Sequence, residues 1–376
     1  MDFSLDEESI LLRNSAEQYL RDNCPTSFVK EVAKEEVGFS RTMWREMADL
    51  GWLGLIYDER HGGVGGKFFD LFILFEEIGK VLLSSPFFCS AVLSGLIINE
   101  AGDLRQKDEY LQPIIQGEKI FTVALLDEQG RYDFDNPKLE AKKSEDGGYI
   151  IMGPRILVPY AHVADEILVV AEVKGSGAGG PTIFKVNTNA GGQKIIPLDV
   201  FTGEKTFTVV YENVEVPSEN IIGAIGKGHI YLKKIFPKAI ILKCAEMLGG
   251  LERVVEMTVA YVKERHQFGQ PLGILQVVQH YCADMATFLE TTRLITFQAA
   301  SLLSEGIPCE KEVSMAKAWC SDAYKKCTWI GHQLHGGIGF TEEHDLHLYY
   351  KHAKVSELSF EDSWFHRSKV AEEMGI

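Results

Sequence analysis

Apolar residues recur at helical spacing between residues 6 and 117, for example across residues 72–83. Between about residues 120 and 223 the pattern changes to short runs of β-branched and aromatic residues separated by turn residues. The helical period returns at residue 230 and continues to the carboxy terminus. The pattern therefore predicts an α+β protein in which a sheet is inserted between two helical regions.

Individual elements can be placed from the same pattern. The predicted strands are residues 121–126, 149–152, 166–173, 182–186 and 206–211. The predicted long helices are residues 230–264, 275–305 and 310–334. We therefore expect three domains: an N-terminal helical domain at 1–118, a barrel-like β-sheet domain at 119–223 and a C-terminal four-helix bundle at 224–376.

Composition and charge narrow the class of protein. Of the 376 residues, 45% are hydrophobic and 24% are charged, which is typical of a globular chain. The formal net charge of -16 repels phosphate backbones and anionic lipids, so we expect neither nucleic-acid binding nor membrane insertion. The amino terminus carries no signal-like apolar stretch, and this favours a cytoplasmic protein.

Three patterns resemble ligand sites, but their sequence context argues against each of them. Residues 175–180 match GxGxxG, yet Pro181 and a second strand follow where a dinucleotide site needs a helix, so we interpret them as a hairpin loop. The histidines between His332 and His352 lack HExxH spacing, and the seven cysteines form no CxxC pair. We expect no bound metal and reduced thiols.

Two segments at predicted helix ends carry candidate chemistry. Residues 265–271 (RHQFGQP, the arginine segment) combine a guanidinium group, an aromatic ring and a glycine, which together suit an anionic nucleotide. Residues 333–339 (QLHGGIG, the glycine segment) place two adjacent glycines where a ligand can approach the main chain. By residue type alone, a nucleotide site and an ordinary capped helix both stay open.

Together, the two segments closely resemble the RxxFGxP and QxxGGxG signatures of acyl-CoA dehydrogenases. The resemblance extends over the whole chain, because the order helix, sheet, helix also matches. Residues 211–220 (YENVEVPSEN) are similar to the family's usual exit from the β domain.

The resemblance implies a homo- or heterotetramer that binds FAD and oxidises an acyl-CoA thioester between its α and β carbons. In the family a glutamate removes the α proton, the β hydrogen leaves as hydride, and electrons pass to an electron-transferring flavoprotein. The implied FAD-binding residues are Arg265, Gln267, Phe268, Gln333, Gly336 and Gly337.

The resemblance fails at the catalytic base. An ungapped register through residues 353–367 places Phe360 at the family's glutamate. Glu361 lies one residue late, and such a shift redirects a side chain by roughly 100° on a helix. A second family position for the base falls near Ala239, which also lacks a carboxylate. Glu361 is therefore the candidate catalytic residue, and it requires a local rearrangement.

The flavin-facing positions of the β domain also differ. Residues 124–132 contain neither the family's Thr-Glu-Pro step nor its Gly-Ser-Asp step. Leu157 and Pro159 occupy the positions of an aromatic residue and a threonine that face the flavin. Proline offers neither an N–H nor a hydroxyl group.

These losses lead to one hypothesis and two alternatives. In the family, the arginine and glycine segments reach the nucleotide half of a neighbouring subunit's FAD, whereas the β domain holds the subunit's own flavin ring. The chain would then be the supporting subunit of a heteromer, completing the FAD pocket of a paralogous subunit. The alternatives are a homomeric dehydrogenase for an unusual, cyclic or branched acyl-CoA, with Glu361 or Asp362 as base, and a non-catalytic scaffold protein.

Overall fold

The computed structural model describes residues 5–132, 134–135, 137–175, 177 and 180–376. They form two compact units. The bundle unit comprises the described part of Met1–Lys30, with Lys67–Leu83 and Ile240–Ile376, and the sheet unit comprises Glu31–Gly66 and Ser84–Ala239. The domain boundaries expected after residues 118 and 223 stay predictions.

The α-helices begin and end close to the predicted positions where these were given. Their bounds are α1 Glu7–Asn23, α2 Thr26–Val32, α3 Arg41–Asp49, α4 Phe68–Val81, α5 Gly95–Ala101, α6 Leu104–Gln106, α7 Gln112–Ile115, α8 Gly228–Glu264, α9 Gln276–Ser304, α10 Glu310–His335, α11 Leu346–Leu358 and α12 Ser363–Glu373. The three predicted long helices are confirmed as α8, α9 and α10. Within the described chain, no helix is both long and apolar enough to cross a membrane.

In the part of the chain that the structure describes, the sheet has eight strands. They are β1 Phe121–Ala124, β2 Glu140–Lys143, β3 Tyr149–Pro159, β4 Glu166–Lys174, β5 Pro181–Asn187, β6 Gln193–Leu198, β7 Thr206–Val216 and β8 Ile221–Ile222. Hydrogen-bonded neighbours follow the order β6-β7-β3-β2-β4-β5-β8. β1 lies parallel to the first half of β4 and β2 parallel to the second half, so both use the same edge of β4. The expected order of helices, sheet and helices is confirmed.

The β4–β5 connection follows the expected hairpin arrangement. These two strands pair antiparallel from Glu166 opposite Asn187 to Glu172 opposite Pro181. Of the loop itself, Ser176, Ala178 and Gly179 lie outside the described residues.

Two glycines allow α4 and α8 to pack with their backbones nearly in contact. A Cβ atom at Gly79 would lie 1.9 Å from the Glu246 carbonyl oxygen, and one at Gly249 would lie 1.9 Å from the Glu76 carbonyl oxygen. Any side chain at either position would therefore force the two helices apart.

A buried ion network crosses the bundle unit beside this contact. Its members are Arg13, Glu76, Glu77, Lys80, Glu252 and Arg293. Arg13 Nη2 lies 2.6 Å from Glu76 Oε2, and Arg293 Nη1 lies 3.2 Å from Glu76 Oε1. Because Glu76 is fully buried, these two guanidinium groups replace the water that its carboxylate has lost.

Candidate functional site

The arginine segment forms a tight exposed hairpin at the end of α8. The short strands β9 His266–Gln267 and β10 Gln270–Pro271 pair antiparallel, with Phe268 and Gly269 as the two loop residues. Both loop residues have positive φ angles, 55° and 79°, as a type I′ turn requires. The turn leaves 89% of Phe268 exposed, and Arg265 and Gln267 are exposed beside it.

The glycine segment continues directly from the end of α10. Gly336 ends the helix with φ 65° and ψ -143°, a backbone conformation that is essentially restricted to glycine. A 3₁₀ turn follows at Gly336–Phe340. A Cβ atom added at Gly336 or Gly337 would meet no described atom within 4 Å. Together with exposed Gln333, these glycines leave open space in front of the main chain.

The two segments are neighbours within the bundle unit. The rings of Tyr261, in the last turn of α8, and His335, the last residue of α10, are stacked with centroids 4.3 Å apart. The Tyr261 hydroxyl group also donates a hydrogen bond of 3.3 Å to the His335 carbonyl oxygen. The structure therefore places the two segments that carry the six residues of the predicted FAD site at neighbouring helix ends.

The chemistry of these segments fits the nucleotide half of a dinucleotide. The Arg265 guanidinium group forms no ion pair with any described side chain and is free to bind phosphate. The ring of Phe268 offers a free face for stacking, and the Gly336–Gly337 main chain is accessible. All of these groups are exposed at the surface of the bundle unit.

The candidate base lies in a constrained turn between α11 and α12. Phe360 and Glu361 have φ angles of 58° and 71°, in the left-handed region that favours glycine. Phe360 is only 5% exposed and packs into the core, whereas Glu361 is half-buried. Asp362, the other alternative base, accepts a hydrogen bond from the Phe365 N–H group and caps α12.

Buried side chains hold the main chain of this turn. Lys317 Nζ donates to the carbonyl oxygens of Glu357 at 2.8 Å and Glu361 at 3.0 Å. The His366 Nε2–H group donates to the Phe360 carbonyl oxygen at 2.8 Å. Burial lowers the pKa of His366 to about 4, so the ring is neutral at physiological pH.

The altered flavin-facing positions lie in the sheet unit. Leu157 has φ 53° and sits where the β3–β7 register shifts, with 43% of its surface exposed. The Pro159 carbonyl oxygen accepts a hydrogen bond of 2.6 Å from the Thr122 hydroxyl group. These positions offer apolar side chains and no free hydroxyl group, so they do not fit the polar edge of a flavin ring.

In the same unit, Asp127 occupies the stretch where the family's Thr-Glu-Pro step is missing. Its Oδ1 atom accepts hydrogen bonds from the Gln129 and Arg131 N–H groups at 2.8 and 3.0 Å. The carboxylate thus closes its own turn, and these contacts help hold its pKa below the usual range.

Metal binding has no structural support in the described chain. No group of three His, Cys, Asp or Glu side chains there is arranged to hold an ion. His335 instead packs between Tyr261 and His344, and His332 stacks on Phe340 at 4.6 Å. All seven cysteines are free thiols in the structure.

Comparison with known proteins gives consistent matches. The acyl-CoA dehydrogenase N-terminal domain matches residues 6–118, and the acyl-CoA dehydrogenase C-terminal domain matches residues 226–374. The chain is 30% identical to the mitochondrial short/branched chain specific acyl-CoA dehydrogenase of Bos taurus, over 94% of this chain and 82% of that protein.

Solved structures agree with these matches. Butyryl-CoA dehydrogenase from Megasphaera elsdenii superposes with a TM-score of 0.91 at 25% identity, over all of both chains. A chain of the ChsE4–ChsE5 complex from Mycobacterium tuberculosis superposes with a TM-score of 0.89 at 26% identity, over 100% of this chain and 99% of that one. Fold and relatives together indicate a family of flavoprotein oxidoreductases. The chain belongs to the acyl-CoA dehydrogenase family.

Proposed function

We propose that this chain is the supporting subunit of a heteromeric acyl-CoA dehydrogenase. It would contribute the arginine and glycine segments to the FAD pocket of a paralogous subunit, which would carry the flavin ring and the base. One contrast carries the proposal: the nucleotide-binding groups are exposed and free to bind, whereas the flavin-facing positions Leu157 and Pro159 lack the polar groups that a flavin ring needs.

The roles of individual residues follow from their chemistry. Arg265 would bind phosphate, Phe268 would stack on a ring, and Gly336 and Gly337 would let the nucleotide approach the main chain. Gln267 and Gln333 would add amide hydrogen bonds. When bound, FAD supplies the acceptor for the hydride that leaves an acyl-CoA thioester, and an electron-transferring flavoprotein would then receive the electrons.

The comparisons support a heteromer as a possible arrangement of this fold. The ChsE4–ChsE5 structure is a complex of two differently named chains, and this chain superposes on one of its chains over its full length. The catalytic turn gives a second reason, because Phe360 is buried at the position of the family's base. If no other residue of this chain replaces that base, a catalytic partner would have to supply one.

The second candidate is a homomeric dehydrogenase that uses Glu361 as its base. The observation that favours it is the fixed main chain of the Phe360–Glu361 turn, held by Lys317 and His366. A carboxylate on such a turn has a defined orientation, as general base catalysis requires.

Co-expression with the nearest paralogous chain tests the proposal. We expect the chain alone to be colourless, and the purified mixture to be yellow and to reduce an electron acceptor when given an acyl-CoA. Arg265→Ala should lower the FAD content of the mixture, whereas Lys263→Ala, a matched exposed cation at the same helix end, should not.

Two other results would reject the proposal. If the chain alone is yellow and active, it is a homomeric enzyme. If Arg265→Ala leaves the FAD content of the mixture unchanged, the exposed segments have only a packing role and the scaffold alternative is favoured.

A further inference from the structure

The arginine and glycine segments are joined by one aromatic pair at their bases. Tyr261 lies one helical turn before Arg265, whose N–H group donates to the Tyr261 carbonyl oxygen at 2.8 Å. His335 immediately precedes Gly336. The two rings stack at 4.3 Å with an interplanar angle of 25°. We propose that Tyr261 and His335 are positioning residues that hold the two segments at a fixed separation for the nucleotide half of FAD; this rests on the function proposed above.

The chemistry of His335 fixes its orientation in this pair. The ring is 4% exposed, and its Nδ1–H group donates to the Gly331 carbonyl oxygen at 2.8 Å. The proton on Nδ1 leaves Nε2 unprotonated, and that atom has no hydrogen-bond partner among the described residues. A neutral ring in this orientation presents its flat face to Tyr261, while the edge-on ring of His344 lies at 4.5 Å.

The Tyr261–His335 pair links the last turns of the two helices. Beyond it, Phe268 and Gly269 are exposed, and a Cβ atom at Gly336 or Gly337 would meet no described atom within 4 Å. The end of the glycine segment is held separately, by the stack of Phe340 on His332. We therefore infer that the pair sets the separation of the two segments. The hydrogen bond from the Tyr261 hydroxyl group to the His335 carbonyl oxygen fixes the main chain next to Gly336.

This arrangement explains how exposed segments could bind a nucleotide well. A ligand that contacts two flexible loops must order both of them, and this ordering weakens binding. Two loops that are already fixed relative to each other avoid that loss. The stack would therefore affect FAD affinity without touching FAD.

Five variants in the co-expressed assembly test the pair, with FAD dissociation followed by flavin fluorescence and ADP as a competitor for the nucleotide half. Tyr261→Ala and His335→Ala remove the stack and should weaken FAD and ADP binding by about tenfold, the order expected for the loss of an aromatic pair. His335→Phe keeps the two stacked rings and the hydrogen bond from Tyr261 to the main chain, so it should retain most of the affinity. Tyr261→Phe keeps the rings but loses that hydrogen bond, so it should bind more tightly than Tyr261→Ala. The double alanine variant should be no weaker than Tyr261→Ala, which already removes both contacts.

A control separates positioning from general destabilisation. Phe297→Ala removes buried edge-on contacts with Phe69 and Phe72 in the bundle core and should lower the melting temperature without changing FAD affinity.

If Arg265→Ala weakens FAD binding while the alanine variants of the pair bind normally, Tyr261 and His335 have no positioning role, and the proposed function is unaffected. The inference is also overturned if the phenylalanine variants bind as weakly as the alanine variants. If Arg265→Ala has no effect either, the inference and the proposed function both fail.

Discussion

Phe268 occupies a backbone conformation that phenylalanine rarely adopts, and its ring is almost entirely exposed. In a two-residue hairpin with two positive φ angles, Asn-Gly is the favoured pair and Phe-Gly is not. Exposure of a large apolar ring also brings no burial energy to the isolated chain. Stability of the fold therefore gives no reason for a phenylalanine here, whereas a ligand from outside the chain does.

Phe268→Asn should separate stability from binding. We expect the free energy of unfolding of the chain to stay unchanged or rise by up to about 1 kcal/mol, because asparagine tolerates positive φ. FAD retention in the assembly should fall, because the aromatic face is lost. Urea unfolding and flavin absorbance measure the two effects, and a stability loss without an FAD effect would contradict this role.

Glu361 offers a second test at the residue scale. Glu361→Gly should stabilise the chain by about 1 kcal/mol, because glycine adopts φ 71° without strain. The matched variant Glu361→Ala removes the carboxylate but keeps the strained Cβ atom, so it should not stabilise. If this chain is the supporting subunit, both variants leave the activity of the assembly unchanged, and loss of activity in both would identify Glu361 as the base.

At the scale of elements, the crossing of α4 and α8 depends on Gly79 and Gly249. Gly249→Ala places a Cβ atom against the Glu76 carbonyl oxygen, and we expect it to destabilise the chain by about 1–3 kcal/mol. Gly337→Ala enters open space and should change stability by less than about 0.5 kcal/mol. Urea unfolding of the two variants measures this difference, and equal losses would contradict the packing described here.

Two buried groups make opposing contributions to the pH dependence of the stability of the bundle unit. Burial raises the pKa of Glu77 to about 7 although Lys80 lies 2.9 Å away, so its contribution to stability falls as the pH rises from about 4.5 to 7. Burial lowers the pKa of His366 to about 4, so its contribution is lost as the pH falls from about 6.5 to 4. Between pH 4.5 and 6.5 the contributions of Glu77 and His366 to the free energy of unfolding change in opposite directions and partly offset each other.

Glu77→Gln should reveal the contribution of His366 to the pH dependence of stability. Because glutamine does not titrate, the free energy of unfolding of this variant should rise more steeply with pH than that of the unmodified chain, by at most roughly 1 kcal/mol per pH unit between pH 5 and 6.5, since burial also raises the pKa of Glu76. The unmodified chain should show a flatter profile over the same range. Parallel profiles from urea unfolding at a series of pH values would show that Glu77 does not titrate in this window.

The sequence predicted the elements that have strong periodicity. The helical period located α8, α9 and α10 to within about two residues. β2 (EAKK) was missed because it lacks β-branched residues, and β6 carries a proline and few buried side chains. β8 has only two residues, too few for any pattern.

The candidate site was predictable only in part. The arginine and glycine segments are local motifs, and their glycines indicated the tight turns that the structure contains. The stack of Tyr261 on His335 depends on where α8 and α10 end in space, which no local pattern records. The contacts of Lys317 could not be predicted either, because its ammonium group binds the carbonyl oxygens of Glu357 and Glu361, which lie 40 and 44 residues later in the chain.

At the scale of the whole molecule, a net charge of -16 makes the binding of an anionic cofactor depend on a local cation. Arg265 provides one at the exposed end of α8, with an aromatic ring and open glycines beside it. The sheet unit offers no matching set of flavin contacts at Leu157 and Pro159. This asymmetry supports the proposed role, in which the chain completes FAD pockets that another subunit provides.

The FAD content of the purified assembly distinguishes the supporting role from the homomeric one. In a heteromer with equal numbers of the two chains, we expect about half as many FAD molecules as chains, and none bound to this chain alone. Flavin released by denaturation, measured against total protein, gives the ratio. One FAD for every chain, or FAD retained by this chain purified alone, would show that this chain holds its own flavin.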